Sequence, residues 1–133
     1  MTTIKVFIID KNGVSVEEIE NDYRAINQRL GWDDAWNTPT IRVECNDYIC
    51  ICADLGKIRH EPISAMTLDN LFEVNDFIKE PFIVGAIMIT KFDGTDDFES
   101  LTEQDIALLK SRVLNIPSNK PIKECYHTIL ILD

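Results

Sequence analysis

The sequence predicts an α+β protein in which two main helices pack on a mixed or mainly antiparallel sheet. Three observations lead to this fold class. Two pairs of β-branched and aromatic segments are joined by short polar turns, which predicts two hairpins. A third apolar segment leads into a helix with a clear capping signature, and a last apolar segment ends the chain. At 133 residues the chain is predicted to be a single domain, 1–133.

The first predicted hairpin lies at the N-terminus. The segment from Ile4 to Ile9 is rich in β-branched residues and predicts a strand. Asn12-Gly13 follows, and this dipeptide favours a tight turn because both residues tolerate positive φ. The segment from Val14 to Ile19 then returns as the second strand. A longer helix that begins near Ser15 is the competing interpretation, because the apolar spacing there also fits a helix.

The first helix is predicted to start at a cap on Asn21 or Asp22 and to end at Gly31. The residues predicted to share its apolar face are Tyr23, Ile26 and Leu30. Residues 32–39 contain both tryptophans of the chain and are predicted to form a loop.

The second hairpin is predicted from Thr40 to Cys45 and from Tyr48 to Ala53, with its turn at Asn46-Asp47. A further turn is predicted at residues 54–57, followed by a short segment at 58–59. Residues 60–80 are ambiguous, and a short helix bounded by Pro62 and Pro81 is one interpretation. The residues that suggest this helix are Leu68, Leu71, Phe72 and Phe77.

A buried strand is predicted from Phe82 to Thr90, since a short continuous apolar run is typical of a strand covered on both faces. An acidic turn separates it from the second helix, which is predicted from about Glu103 to Leu114. Residues 115–122 are predicted to connect this helix to a final strand from Tyr126 to Leu132.

The second helix has a specific start signature. Thr102 is the predicted N-cap, and Asp105 three residues later suits the positive end of the helix dipole. Leu101 and Ile106 occupy the two positions of a hydrophobic staple. The helix is therefore expected to start sharply after Thr102.

The chain has a formal net charge of −10. Such a field repels phosphate backbones and anionic lipid headgroups, so direct binding to nucleic acid or to a membrane is not expected. No apolar run approaches the ~20 residues of a membrane span, and no secretion signal is recognised at the N-terminus, so we expect a cytoplasmic protein. An acidic balance also simply favours solubility, and that alternative stays open.

No cofactor is predicted, because the five glycines are scattered and form no nucleotide-binding motif. A metal site is an alternative, because Cys-x-Cys and Cys-x-His pairs on neighbouring strands would bring four zinc ligands together. The residues of that site would be Cys50, Cys52, Cys125 and His127. Buried free thiols are the interpretation that the sequence favours.

Two further groups of residues are candidates for binding. Aromatic residues flanked by acids are typical of protein-binding surfaces, although loop aromatics also serve as lids over a core edge. The predicted protein-binding surface is Asp93, Asp96, Asp97, Phe98, Glu99, Glu103 and Asp105. The alternative is a pocket for a ring-containing ligand, lined by Trp32, Trp36 and Arg42.

Three segments together resemble a family of small proteins of unknown function carried by bacterial phages, plasmids and conjugative elements. The segments are Ile4 to Ile9, Tyr48 to Lys57, and the block from Ile83-Val84-Gly85-Ala86 to Phe98-Glu99-Ser100-Leu101-Thr102-Glu103-Gln104-Asp105-Ile106. The similarity spans most of residues 4–113 and transfers no catalytic residue. The chain departs from the family's Leu-Pro-x-Asn-Arg-like segment at residues 59–66, and its tail after Asn115 is additional.

The sequence thus favours a non-enzymatic protein of a phage or mobile element that binds a host or element protein with a basic surface. Inhibition of a host nucleic-acid enzyme by charge mimicry is the sharpest form of this hypothesis. The alternatives are a binder of a nucleotide-like small ligand and a zinc- or thiol-dependent protein. The oligomeric state is not predicted.

Overall fold

The computed structural model describes residues 2–33, 35–53, 61–67, 72–73, 79–80, 82–92, 94, 97–115 and 125–132. The helices of this described part are α1 (Tyr23–Leu30) and α2 (Glu103–Ser111). Its strands are β1 (Thr3–Asp10), β2 (Gly13–Glu20), β3 (Trp36–Asn37), β4 (Thr40–Val43), β5 (Asn46–Ala53), β6 (Ile63–Thr67), β7 (Phe72–Glu73), β8 (Lys79–Glu80), β9 (Phe82–Val84), β10 (Ile87–Phe92), β11 (Phe98–Glu99), β12 (Val113–Asn115) and β13 (Cys125–Leu132).

A seven-stranded antiparallel sheet forms the centre of the fold. Its main order is β2-β1-β10-β5-β3, with β4 also paired to β5 and β11 to β10. The apolar run of β1 contributes side chains to both faces of this sheet, because side chains alternate along a strand. Phe7 and Ile9 enter one core cluster, whereas Val6 and Ile8 enter the other. The α+β fold with a mostly antiparallel sheet is confirmed.

A four-stranded sheet and α2 pack on one face of the central sheet, and α1 packs on the other. The order of the smaller sheet is β12-β13-β6-β9, with β13 parallel to β6. Leu130 of β13 and Leu109 of α2 share a core cluster with Phe7, whereas Ile26 of α1 packs with Ile8. Neither helix of the described chain is long and apolar enough to cross a membrane.

The first hairpin and the first helix are confirmed. Strands β1 and β2 pair from Thr3↔Glu20 to Asp10↔Gly13, so a longer helix starting near Ser15 is wrong. Asp22 caps α1 by accepting a hydrogen bond from the Arg24 backbone N–H at 3.1 Å. Gly31 ends the helix with φ +79°, a conformation in which a side chain would be strained.

The buried face of α1 differs from the prediction in two residues. Ile26 and Leu30 are buried as predicted, but Tyr23 is exposed and Asn27 is buried instead. The Asn27 amide is buried because it forms hydrogen bonds with the side chains of Asp33 and Trp36, which follow the helix.

The second hairpin is present, but its predicted turn is displaced by two residues. Val43 pairs with Asn46, so Glu44 and Cys45 form the turn, with φ of +48° and +69°. Asn46 is a residue type that is common in turns, and here its side-chain Nδ2 donates hydrogen bonds to the Val43 and Glu44 carbonyls at 3.3 and 3.1 Å. The core decides the register, because it requires buried Ile41 opposite buried Tyr48.

The predicted strand from Phe82 to Thr90 is broken in two. Gly85 holds φ +81°, and the chain bends there between β9 of the smaller sheet and β10 of the central sheet. One continuous apolar segment therefore supplies a strand to each sheet. The helix interpretation of residues 60–80 is wrong where the structure describes them, because β6, β7 and β8 are extended.

The second helix starts as predicted and ends earlier. Thr102 and Asp105 form a complete capping box, and Leu101 and Ile106 are both buried in the same core cluster. The helix ends at Ser111 because the next residues pair with β13, where Val113 lies opposite Leu130. The final strand is confirmed as β13. Residues 54–60 and 116–124, with the predicted turn and most of the predicted connector, lie outside the described residues.

Candidate protein-binding surface

Four aromatic rings form a continuous stack on the α1 face of the central sheet, and we call this stack the aromatic ladder. Tyr23 stacks on Trp36 with ring centroids 4.9 Å apart, and Trp36 lies 6.3 Å from Phe98. Phe98 in turn stacks on Phe92 at 5.4 Å, with an interplanar angle of 15°. Offset stacks with centroids in this range are favourable beyond the area they bury. The ladder thus joins α1, β3, β11 and β10.

Hydrogen bonds and strand pairing hold the rings of the ladder in place. The Trp36 indole Nε1–H donates to Asn27 Oδ1 at 2.7 Å, and Asn27 Nδ2 donates to Asp33 Oδ1 at 3.3 Å. On the other side, Phe92 and Phe98 are directly paired residues of β10 and β11. The Thr90 hydroxyl also donates to the Glu99 carbonyl at 2.7 Å, which ties β11 to β10.

The two ends of the ladder are exposed to solvent. Tyr23 is 52% exposed and Phe92 is 43% exposed, whereas Trp36 and Phe98 are partly buried between them. Among the described residues, the other large hydrophobic side chain with comparable exposure is Leu114, at 50%. Leu114 belongs to β12 of the smaller sheet, away from the ladder in the strand order.

The predicted acidic surface is only partly assembled beside the ladder. Asp97 and Glu99 flank Phe98 and are exposed, and Asp97 Oδ1 accepts a hydrogen bond from Asn21 Nδ2 at 2.8 Å. Glu103, whose side chain is 91% exposed, lies 3.6 Å from Lys5 Nζ. The remaining predicted acids between β10 and β11, Asp93 and Asp96, lie outside the described residues.

Asp105, predicted for the same surface, is drawn into the fold. Its carboxylate accepts hydrogen bonds from Tyr48 Oη at 2.9 Å, Lys91 Nζ at 2.8 Å and the Thr102 backbone N–H at 2.8 Å. Burial alone would raise the pKa of Asp105, but these hydrogen bonds outweigh it and lower that pKa to about 2. Burial and the Asp105 carboxylate together raise the pKa of Tyr48. Asp105 therefore stabilises the fold.

The three predicted pocket residues lie in different places. Trp36 belongs to the ladder, and Trp32 donates its indole N–H to the Ala86 carbonyl at 3.2 Å. Trp32 lines two clefts, of about 590 and 410 Å³. Arg42 lines neither of them, and its Nε lies 3.0 Å from Asp47 Oδ1 beside the β4–β5 turn.

The four predicted zinc ligands come from strands of different sheets. Cys50 and Cys52 of β5 are buried in one core cluster, and the Cys52 thiol lies 3.5 Å from the Asn37 carbonyl. The contact with Cys52, together with burial, raises the pKa of the Cys50 thiol. Cys125 and His127 lie on β13, which is not a neighbour of β5, and their side chains are outside the description. Among the described side chains no group of metal ligands assembles.

Two features of the structure have no signal in the sequence. The apolar spacing predicts Tyr23 on the buried face of α1, and no local pattern indicates that Tyr23 stacks on Trp36. Arg29 forms an ion-paired cluster with Glu17 and Asp10 of the first hairpin, with Nη1 3.1 Å from Asp10 Oδ2. The sequence places Arg29 in the last turn of a helix, and this position does not predict ion-pair partners on two strands.

The fold and this surface define the class: a small, acidic, strand-rich α+β protein that displays a packed aromatic stack. A family model described as Domain of unknown function (DUF3846) matches residues 4–114, so the chain belongs to the DUF3846 family. The resemblance to a family of unknown function is thereby confirmed. No curated protein and no solved structure matches the chain.

Proposed function

We propose that this protein acts without catalysis, by binding another protein through the aromatic ladder. One observation carries the proposal. Of the three large hydrophobic side chains that are most exposed in the described chain, Tyr23 and Phe92 cap the two ends of one stack. Aromatic residues are enriched at the energetic centres of protein interfaces, because they offer a large apolar area with few rotatable bonds.

The support beneath the ladder favours this role. Trp36 and Phe98 are held by the Asn27 hydrogen bond and by strand pairing, so the stack is ordered before a partner arrives. A preformed surface loses less conformational entropy when it binds, and this entropy is one of the main costs of association.

The charge around the ladder indicates the kind of partner. Asp97 and Glu99 flank Phe98, and the chain as a whole carries a net charge of −10. An acidic field speeds encounter with a basic surface and disfavours acidic partners. We infer a partner protein whose surface combines positive charge with an apolar or guanidinium-bearing contact for the rings.

We also infer that the chain comes from a phage or another mobile element and that its partner is a host or element protein. The resemblance described above supports the origin. The sharpest version is an inhibitor that occupies the basic groove of a host nucleic-acid enzyme. The test is inhibition of purified bacterial nucleases and restriction enzymes in a salt series. Inhibition that weakens steeply with salt supports this version, and no inhibition of any such enzyme rejects it.

Site-specific photocrosslinking tests the binding surface itself. A photoreactive phenylalanine analogue replaces Tyr23 or Phe92 in the ladder, and replaces Leu114 as the matched control of similar exposure. We expect a crosslinked protein from the ladder positions that disappears when excess wild-type protein competes, and no such product from Leu114.

Alanine variants then measure the contribution of the rings. Binding of the identified partner is expected to weaken by about tenfold or more for Tyr23→Ala or Phe92→Ala, which corresponds to about 1.4 kcal/mol. Leu114→Ala is expected to leave the affinity unchanged. Equal affinities for all three variants, or a competable crosslink at Leu114 alone, would contradict the proposed surface.

The small-ligand alternative has one observation in its favour, because Trp32 lines two clefts. A nucleotide-like ligand stacked on Trp32 would change the tryptophan fluorescence of the protein. Titration with nucleotides tests this alternative, and an unchanged fluorescence and no binding in equilibrium dialysis would reject it.

A further inference from the structure

The central sheet ends on one side at β2, a long strand with a single strand neighbour in the described part of the chain. That neighbour is β1, which lies between β2 and β10. The pairing runs from Thr3↔Glu20 to Asp10↔Gly13 without a register shift, so β2 presents a continuous edge of about 25 Å. At the other end of the strand order, β3 has only 2 residues. The β2 edge is the feature of the fold on which the following inference rests.

The hydrogen bonds of the first hairpin indicate which backbone groups of β2 point outward. The Asn21 N–H donates to the Thr2 carbonyl at 2.9 Å, in the same register as the hairpin. Hydrogen-bonded pairs recur at every second residue of an antiparallel ladder, so the odd-numbered residues of β2 bond to β1. The even-numbered residues direct their N–H and C=O groups away from β1, and these residues are Val14, Val16, Glu18 and Glu20. The Glu20 carbonyl accepts from the Asp22 N–H at 2.8 Å.

The β2 edge lacks most of the features that keep exposed strands from pairing with other chains. Natural edge strands are usually short or bulged, or they contain proline or lysine. Strand β2 is 8 residues long, contains neither proline nor lysine, and pairs with β1 without a bulge. Its apolar side chains Val14, Val16 and Ile19 are only partly buried. A strand added at this edge would therefore gain both backbone hydrogen bonds and apolar contacts.

The acidic side chains of β2 indicate which kind of strand fits this edge. Glu18 and Glu20 are exposed, whereas Glu17 is ion-paired to α1 and does not count. Glu18 lies opposite Lys5 in the register, but the Lys5 ammonium lies 3.6 Å from Glu103. Opposite charges on neighbouring strands stabilise a sheet, and like charges destabilise it. The edge thus favours a strand with basic side chains and disfavours a second copy of β2, whose own glutamates would lie along the same seam.

We propose that the β2 edge binds an extended segment of another protein that is rich in lysine or arginine and in β-branched residues. The segment adds a strand to the central sheet and bonds to the outward backbone groups of Val14, Val16 and Glu18. Its basic side chains lie beside the exposed glutamates of β2. No residue of the aromatic ladder belongs to β2, so this contact is separate from the surface proposed above.

Amide hydrogen exchange, followed by ¹H–¹⁵N NMR, tests the open edge before any ligand is added. We expect fast exchange at the outward amides of β2 and slow exchange at the inward ones, because only the inward amides bond to β1. The outward amides are those of Val14, Val16 and Glu18, and the inward ones are those of Ser15, Glu17 and Ile19. Equal protection of both sets would show that the edge is already covered and would overturn the proposal. A dimer in solution with protected outward amides would assign the edge to a second copy and would also overturn it.

The binding probe is a short peptide that alternates lysine and valine. One control peptide alternates glutamate and valine, and a second keeps the lysines but replaces each valine by proline, which cannot donate to a strand ladder. We expect the lysine–valine peptide alone to slow exchange at the outward amides and to shift their NMR signals saturably, more weakly as salt is added. No effect of this peptide, or an equal effect of either control, would overturn the proposal.

Three variants separate the charge from the backbone pairing. Glu18→Gln is expected to weaken peptide binding by about threefold, because it removes one exposed charge. Glu18→Pro is expected to weaken it by about tenfold, because it also removes an outward N–H, and proline is tolerated there since this N–H does not bond to β1. Asp47→Asn, which removes one charge from an exposed position outside β2, leaves the affinity unchanged. Wild-type affinity of Glu18→Pro, in protein whose inward amides stay protected, would overturn the proposal.

Discussion

Asp105→Asn is the substitution whose effect the structure specifies most closely. The Asp105 carboxylate, 15% exposed, is bonded to the buried Tyr48 phenol, to Lys91 and to the N-terminus of α2. Asparagine keeps the size of the side chain and much of its capping ability but removes the charge. The substitution therefore isolates the electrostatic contribution of this residue.

The pKa of Asp105 gives the magnitude. It falls from an ordinary value of 3.8 to about 2 in the folded protein. Since each pKa unit is worth about 1.4 kcal/mol, the charged form contributes about 2 kcal/mol to the free energy of unfolding at neutral pH. We expect Asp105→Asn to lower the free energy of unfolding by about this amount, measured by urea denaturation at pH 7.

The pH dependence has a definite sign. Because the pKa of Asp105 is lower in the folded state, the unfolded state binds the proton first as the pH falls. The contribution is complete above about pH 4 and is lost as the pH falls from 3.8 through about 2. The stability difference between wild type and Asp105→Asn is therefore expected to shrink toward zero across that window.

Glu103→Gln is the matched control, because Glu103 lies on the same helix turn with an almost fully exposed side chain. We expect its free energy of unfolding to stay within about 0.5 kcal/mol of wild type, as is usual for surface substitutions. The reasoning is refuted if Asp105→Asn behaves like Glu103→Gln at pH 7. It is also refuted if the difference from wild type stays constant between pH 4 and pH 2, because the Asp105 carboxylate takes up its proton within this range.

Three further predictions concern stability and composition. Cys45→Gly should raise the free energy of unfolding by about 1 kcal/mol, because glycine relieves the φ of +69° in the β4–β5 turn. Cys45→Ser should give no such gain in thermal denaturation, and equal effects of both would contradict the turn geometry. Arg29→Lys should cost about 2 kcal/mol in urea denaturation, because lysine cannot make the paired hydrogen bonds to Glu17 or reach Asp10 at the same time. Lys11→Arg, at an exposed turn position, is its control, and an unchanged stability of Arg29→Lys would reject the role of the cluster. Purified protein should contain less than one zinc per chain by elemental analysis, since Cys50 and Cys52 pack as thiols in the core. Stoichiometric zinc that is lost in Cys50→Ala would reverse this prediction.

Elements with a local cause could be predicted from the sequence. The cap at Asp22 and the end at Gly31 depend on residues within a few positions of each other, and α1 has these bounds. The same holds for Thr102 and Asp105, whose reciprocal bonds start α2. Such signals are readable because the bonds they make are intrinsic to the helix end.

The sequence predicts less accurately the bounds of elements that depend on pairing with distant strands. The β4–β5 turn moved to Glu44-Cys45 because Tyr48 must face α2, where its phenol donates to Asp105. The predicted strand after Phe82 divides at Gly85 because its halves pair with β6 and β5 in separate sheets. Each result depends on a partner more than 15 residues away in the chain. Tyr48 and Asp105, for example, are separated by 57 residues.

The sequence by itself determined the α+β class, the first hairpin, both helix starts and the strongly acidic charge, because local backbone preferences and composition suffice for these. Only the tertiary structure decided which of its aromatic and acidic residues meet. It brought Tyr23 onto Trp36, set Phe92 beside Phe98 and turned Asp105 inward to Tyr48 and Lys91. The physical reason is that these contacts are set by strand pairing and core packing between segments that are far apart in the chain.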